Sequence, residues 1–257
     1  MLKEVLPLRK INTFILNIVF YSLLVVFSVV YIPVVTILFI FLSLIVSRRV
    51  LMRRIRRAIS FYGSVIIHAL PFPFVRVKYE DLSSGEEKGP FIIVCNHRAA
   101  SDPFLMACLP YECIQVVNIW PFKLPVFGWG AKVAGYLSVK EMPYEEFLQK
   151  TSKLISEGVN IISFPEGTRS TEKEMKQFYS SIFRVAIANK CSIVPFCITG
   201  NEKIPPRGTG VLQPGRIKLK RLPSIKWEDY QGCSPFILKN RVRSILQEEL
   251  AKMDKET

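Results

Sequence analysis

The chain has 257 residues, 49% of them hydrophobic, with 35 lysines and arginines against 21 aspartates and glutamates, for a formal net charge of +14. That apolar content excludes a disordered chain and is enough for one large domain or two small ones, while the positive balance points to an anionic partner. The excess charge is concentrated early. Lys3, Arg9, Lys10, Arg48, Arg49, Arg53, Arg54, Arg56 and Arg57 stand against Glu4 alone in the first sixty residues.

Between those basic groups, Ile11 to Ser47 contains no charged residue and no histidine. As one straight helix it would measure about 55 Å, against a hydrocarbon core of about 30 Å. Pro33 lies past its middle, so the reading is a helical hairpin, broken at Pro33, that spans or dips into a bilayer. Basic flanks on both outer ends put both termini of the hairpin on the cytoplasmic face. A cleaved signal peptide fits poorly, because the apolar run is too long and no small-residue cleavage site precedes the arginines. The following segment, Arg48 to Leu70, interleaves arginines with apolar residues. It reads as a basic amphipathic helix on an anionic membrane surface, with Leu51, Ile55 and Ile59 turned inward, or as a stop-transfer flank without lipid specificity. No nucleic-acid-binding module is recognisable, which leaves membrane lipid as the partner for this charge. Residues 1–70 are thus expected to anchor the chain to the cytoplasmic membrane, and 71–257 to form a separate domain facing the cytoplasm.

Beyond Leu70, short apolar runs alternate with amphipathic stretches. The predicted strands are VRVKYE (75–80), FIIVC (91–95), IQVVNI (114–119), YLSVK (136–140), VNIISF (159–164), SIVPFCI (192–198) and RIKLKRL (216–222). YEEFLQKTSKLISEG reads as a helix stopped at Gly158, and a final helix starts at Ser234-Pro235, a good cap and first-turn pair. GTGVLQPG (208–215) reads as a loop. The alternation predicts an α/β fold: a single domain with a mostly buried mixed sheet flanked by helices, preceded by the N-terminal hairpin. The six cysteines form no CxxC pair and sit mostly in apolar runs, as small hydrophobes in a reducing compartment do. With only two histidines, of which His68 reads as structural, no metal site is expected.

The other histidine is followed five residues later by an acid, in CNHRAASDPF (95–104). An imidazole can take a proton from an alcohol near neutral pH when a carboxylate fixes its tautomer and stabilises the imidazolium. His97 and Asp102 could be such a pair, with Pro103 in the first turn of a helix that folds the acid back. Alone, the spacing serves a capping Asp beside a satisfied His equally well. A second stretch, FPEGTRS (164–170), follows a predicted strand, where open α/β sheets bind ligands. Gly167 permits close approach, Thr168 offers a hydroxyl and Arg169 a planar fork suited to phosphate; a turn with a surface Arg fits the spacing as well.

Together, NH(x)4D, FPEGTRS and IVPFCITG (193–200) resemble the glycerophospholipid acyltransferase family, which contains the lysophosphatidate and other lysophospholipid acyltransferases. The resemblance runs from about Phe91 to about Leu222. It implies that His97 is the general base and Asp102 its partner. Asn96, Glu166, Gly167, Thr168 and Arg169 are implied to help bind substrate, the EGTR residues by holding an acceptor's phosphate, and Val194 and Pro195 to lie near the acyl site. KLPVFGWGAKVAGYLSVKE (123–141) is similar to the family's second motif, bringing in Lys123 and Lys140. The implied substrates are a lysophospholipid hydroxyl, most simply that of 1-acyl-sn-glycerol-3-phosphate, and an acyl thioester of coenzyme A or acyl carrier protein. No cofactor and no metal are implied.

The sequence departs from the family pattern at three places. Ala99 stands where the family often has Ser, Glu141 where the second motif usually ends in Arg, and FYSS (178–181) where Phe-Lys and a Gly are usual. An acceptor with less phosphate charge, such as an aminolipid or another lysolipid, and a catalytically silent membrane-surface lipid binder are the competing readings. A hydrolase would need water as acceptor, and no GxSxG nucleophile elbow is present.

Overall fold

The structure, a computed structural model, describes residues 2–83, 85, 89–118, 125–170 and 174–256, with the side chains of 2–9 and 125–127 left out. Contacts divide the chain into two compact units: Met1–Lys78 with Ala99–Leu109 and Gly200–Ile217, and Tyr79–Arg98 with Pro110–Thr199 and Lys218–Thr257.

In the first unit, helix α1 (Leu2–Ser43) runs unbroken through Pro33. The hairpin expected to turn at Pro33 therefore turns elsewhere. The chain reverses after Ser43, and α2 (Arg48–Ser64) folds back along α1. Proline removes one backbone hydrogen bond, and in a helix this long the intact turns on either side carry the chain through. The two helices meet through polar and aromatic groups. The Ser28 and Tyr62 hydroxyls lie 2.8 Å apart, Tyr31 donates to the Ala58 carbonyl at 2.9 Å, and Phe27 stacks on Tyr31 and Tyr62. A π-helical turn, Val65–Ala69, continues α2 and contains His68, whose Nδ1 lies 3.2 Å from the Ser64 carbonyl. Helix α3 (Asp102–Ala107) starts with Asp102 and Pro103 in its first turn, as the spacing predicts.

A six-stranded mixed sheet is built from β1 (Val75–Asp81), β2 (Ile92–Cys95), β3 (Cys113–Val116), β4 (Asn160–Ser163), β5 (Ile193–Thr199) and β6 (Gly215–Arg221), in the order β1-β6-β5-β2-β4-β3. Strands β3, β4, β2 and β5 are parallel, with Val94 opposite Ser163 on one side and Pro195 on the other, and β6 joins antiparallel. The parallel strands β2, β4 and β5 are buried along their whole length, which is why their sequences read as continuous apolar runs. YLSVK forms no strand. It contributes a single bridge from Leu137 to Val116 and then turns, and the expected 114–119 strand stops at Val116.

The core of the second unit packs the sheet against α5 (Tyr144–Ser156), α6 (Ser181–Asn189) and α7 (Pro235–Lys255). Helix α4 (Pro125–Val133) precedes them in the chain. On α7, Leu238, Val242, Leu246, Leu250 and Met253 form one stripe exposed by 1% or less. Its start is capped as predicted, the Ser234 hydroxyl accepting from the Ile237 N–H at 3.3 Å.

Candidate active site

Strands β2 and β4 are parallel neighbours in the second unit, so the loops that leave their C-terminal ends emerge side by side. The first carries Asn96, His97 and Arg98, the second FPEGTRS. They are bonded in both directions: the His97 N–H donates to Glu166 Oε1 at 2.9 Å, and the Ser170 N–H donates to the His97 carbonyl at 2.7 Å. Glu166, 3% exposed, also accepts from the Ser170 hydroxyl and from the Lys176 N–H at 3.0 Å. A buried carboxylate with three donors organises loops. It holds the His97 loop and the 174–178 segment against its own turn.

Asn96 directly follows β2. It is fully buried, with Nδ2 donating to the Ile198 carbonyl at 2.9 Å and Oδ1 accepting from the Ile198 N–H at 2.8 Å. Both ends of the amide extend the β2–β5 pairing, which fixes the start of the His97 loop. On the other side, Arg98 forms a bidentate pair with Asp254 of α7 at 2.7 and 2.8 Å, and Asp254 also accepts from the Thr199 hydroxyl at 2.8 Å. His97 is thereby fixed from both flanks, its ring against Phe164 with centroids 4.7 Å apart.

Gly167 has φ +69°, and a Cβ there would lie 2.7 Å from the Tyr179 ring. The close approach that requires glycine is thus made by the protein itself, with Tyr179 standing where the family usually has Lys. Thr168 is exposed and Arg169 half-buried. The Lys176 ammonium donates to the Thr168 hydroxyl at 2.9 Å and to the Arg169 carbonyl at 3.2 Å, which brings a second cation to the EGTR turn. Sequence reasoning passed over Lys176 because it lies outside the motif. Its backbone is pinned by Glu166 and by Arg243 of α7, bonds that no local pattern encodes.

Val194 and Pro195 lie within β5, buried beside β2. Lys140 is exposed, in a turn after the Leu137 bridge, and Lys123 lies outside the described residues.

Asp102 belongs to the first unit and His97 to the second, and the division falls between Arg98 and Ala99. Within its unit Asp102 is fully buried. Its Oδ2 accepts from the Ala99 N–H at 2.9 Å and its Oδ1 from the Asn201 amide. Ala99, where the family often has Ser, thus contributes its backbone. Burial pushes the thiols of Cys108 and Cys191 up to about 12 and about 11, and it also raises that of Cys197, which disfavours the nucleophilic thiolate at these three positions.

The mixed sheet thus presents an imidazole and a cation-bearing loop at the ends of two adjacent parallel strands. The family model described as Acyltransferase matches residues 76–199. The chloroplastic 1-acyl-sn-glycerol-3-phosphate acyltransferase of Arabidopsis thaliana is 26% identical over 184 residues, 70% of this chain and 50% of that protein. Its chloroplastic counterpart in Brassica napus is 28% identical over 155 residues, 58% of this chain and 44% of that protein. The chain therefore spans about half the length of these curated relatives. The crystal structure of the 1-acyl-sn-glycerophosphate acyltransferase PlsC of Thermotoga maritima has the same fold, with a TM-score of 0.75 at 23% identity over 96% of this chain and 98% of that one. Over residues 76–199 the chain is thus similar to the acyltransferases, and it shares its fold with one of them.

Proposed function

We propose that the protein transfers a fatty acyl group from an acyl thioester, of coenzyme A or acyl carrier protein, to the free hydroxyl of a lysophospholipid, most simply 1-acyl-sn-glycerol-3-phosphate. The observation that carries this reading is the two-way hydrogen bonding of the His97 loop to the EGTR turn, which sets a general base beside a polar, cation-bearing loop. His97, oriented by Asp102, takes the proton of the acceptor hydroxyl. The oxygen attacks the thioester carbonyl carbon, the tetrahedral intermediate collapses with cleavage of the C–S bond, and the departing thiolate takes the proton from the imidazolium. An ester and a free thiol result, His97 is regenerated, and neither metal nor cofactor enters. Arg169 and Lys176, with the Thr168 hydroxyl, bind the acceptor's phosphate. The relatives' names support the substrate class.

Residues 1–70 serve as the membrane anchor and 71–257 as the acyltransferase domain, at the cytoplasmic face of the cytoplasmic membrane. Helix α1 supports this. Its Lys10–Ser43 stretch contains an 18-residue window with a mean hydropathy of 2.8 and is long and apolar enough to cross a bilayer. Holding the site at the surface where acceptor and product reside raises their effective concentration.

The test is acyl transfer by the membrane-embedded protein from a labelled thioester to a panel of lysolipids. The reading expects product with lysophosphatidate and a rise in its KM in Arg169→Ala and Lys176→Ala. Product confined to an acceptor without phosphate would move the assignment to that lipid.

A further inference from the structure

A polar side chain in the charge-free run of α1 needs a partner, and Asn17 has one in the same unit. Its Nδ2 donates to the Leu212 carbonyl and its Oδ1 accepts from the Leu212 N–H, both at 2.8 Å. One turn on, the Tyr21 hydroxyl donates to the Gly210 carbonyl. Leu16 and Phe20 on α1 and Ile204 and Leu212 on the loop are all buried. Helix α1 therefore grips the segment 204–212 from one face.

That segment is a closed lobe. Gly200, with φ +83°, lies where a Cβ would come 2.1 Å from the Arg216 carbonyl, so the two ends of the lobe touch backbone to backbone. Inside it, the Gln213 N–H donates to the Lys203 carbonyl at 3.2 Å and the Ile204 N–H to the Asn201 carbonyl at 2.9 Å. At its head is Asn201, fully buried, whose side-chain N–H donates to Asp102 Oδ1. The Asn201 Oδ1 is buried with no partner among the described residues. Proteins avoid leaving a buried acceptor unpaired, and leucine would fill the same space without that cost. What asparagine supplies here is the donor.

We propose that Asn201 is a positioning residue that fixes the Asp102 carboxylate, and that α1, through Asn17, holds the lobe that carries Asn201. This rests on the reading of Asp102 as the partner of His97. With one oxygen on the Ala99 N–H and the other on Asn201, the carboxylate cannot rotate, and a general base needs its orienting group held to a fraction of an ångström. The helix that anchors the chain is in this way also part of the catalytic scaffold, and loosening it lowers turnover without weakening substrate binding.

The experiment uses the full chain in proteoliposomes, with His97-dependent ester formation as readout, and compares Asn201→Leu, Asn201→Ser, Asn17→Leu and the double variant Asn17→Leu/Asn201→Leu. Asn201→Leu is expected to lower kcat about ten- to a hundredfold with KM for both substrates within about twofold, since it removes a hydrogen bond to a charged group and no substrate contact. Asn201→Ser, which keeps a donor, recovers part of the loss. Asn17→Leu lowers kcat about three- to tenfold, and the double variant falls no further than Asn201→Leu, as expected of two groups acting through one path. Wild-type kcat in Asn201→Leu, or losses that multiply in the double variant, would overturn the proposal while His97-dependent product persists. Should Asn201→Leu fail to fold, Asn201→Ser and Asn17→Leu carry the test, and wild-type kcat in both overturns it. Product that forms regardless of His97 overturns the acyl-transfer reading, and this one with it.

Discussion

Helix α1 leaves Val25, Val26, Val29 and Val30 between 60% and 67% exposed, whereas α7 covers Leu238, Val242, Leu246, Leu250 and Met253 to 1% or less. Both helices are long and rich in aliphatic residues, but only α7 spends them on the protein's own core. In α7 they recur every three or four residues on one stripe with charged groups opposite, while in α1 they occupy every face, and among its described side chains only a patch at Leu16 and Phe20 is buried. The difference teaches that aliphatic content alone does not mark a core element. Its angular distribution separates a helix solvated by its own domain from one suited to lipid.

Polar substitution of α1 tests this contrast most severely. Val26→Asp with Val30→Asp places two carboxylates mid-helix, where each costs about 2.5–3.5 kcal/mol in a bilayer. The chain is expected to move from the membrane fraction to the soluble fraction on sedimentation, with the thermal unfolding of the α7 core unchanged. The reciprocal change, Leu246→Ala, should cost about 2–5 kcal/mol of stability by cavity formation, seen as a fall in Tm, and leave sedimentation with membranes unaltered.

A smaller effect comes from the polar end of α7. Asp254→Ala removes the bidentate carboxylate from the buried Arg98 guanidinium and is expected to cost about 1–3 kcal/mol, together with a drop in kcat as the His97 flank loosens. Near it, Lys220 bonds Glu249 at 2.8 Å, and that hydrogen bond holds the Glu249 carboxyl below its ordinary value and the Lys220 ammonium above its own. A depressed carboxyl stabilises the fold above its ordinary value of 4.5, and that contribution is lost as pH falls through the lower folded value. The raised ammonium contributes fully below 10.5, and its share is lost as pH rises through the higher folded value. Glu249→Gln should therefore be less stable than wild type by about 1 kcal/mol at pH 7, and chemical denaturation should show that gap closing well below pH 4.5.

Much of this was legible in the sequence because the signals are local. The apolar runs at 92–95, 160–163 and 193–199 mark buried parallel strands, and the motifs that follow the first two place His97 and FPEGTRS at adjacent strand ends. What escaped depends on pairing across the chain. Pro33 reads as a break locally, yet the intact turns around it keep α1 straight. YLSVK has strand composition, but only Leu137 finds a partner. Asp254 reaches Arg98 from 156 residues away and Asn201 reaches Asp102 from 99, so neither spacing carries a readable period. The position of Asn201 directly after Gly200 at the end of β5 was the one available signal.

The most direct measurement follows a labelled long-chain acyl thioester incubated with lysophosphatidate and the membrane-embedded protein, counting esterified lipid and free fatty acid over time in wild type and His97→Ala. The account predicts ester as the main product and a loss of about 10²- to 10⁴-fold in its rate without the imidazole. Ester formation at the wild-type rate in His97→Ala, or free fatty acid as the main wild-type product, would contradict it.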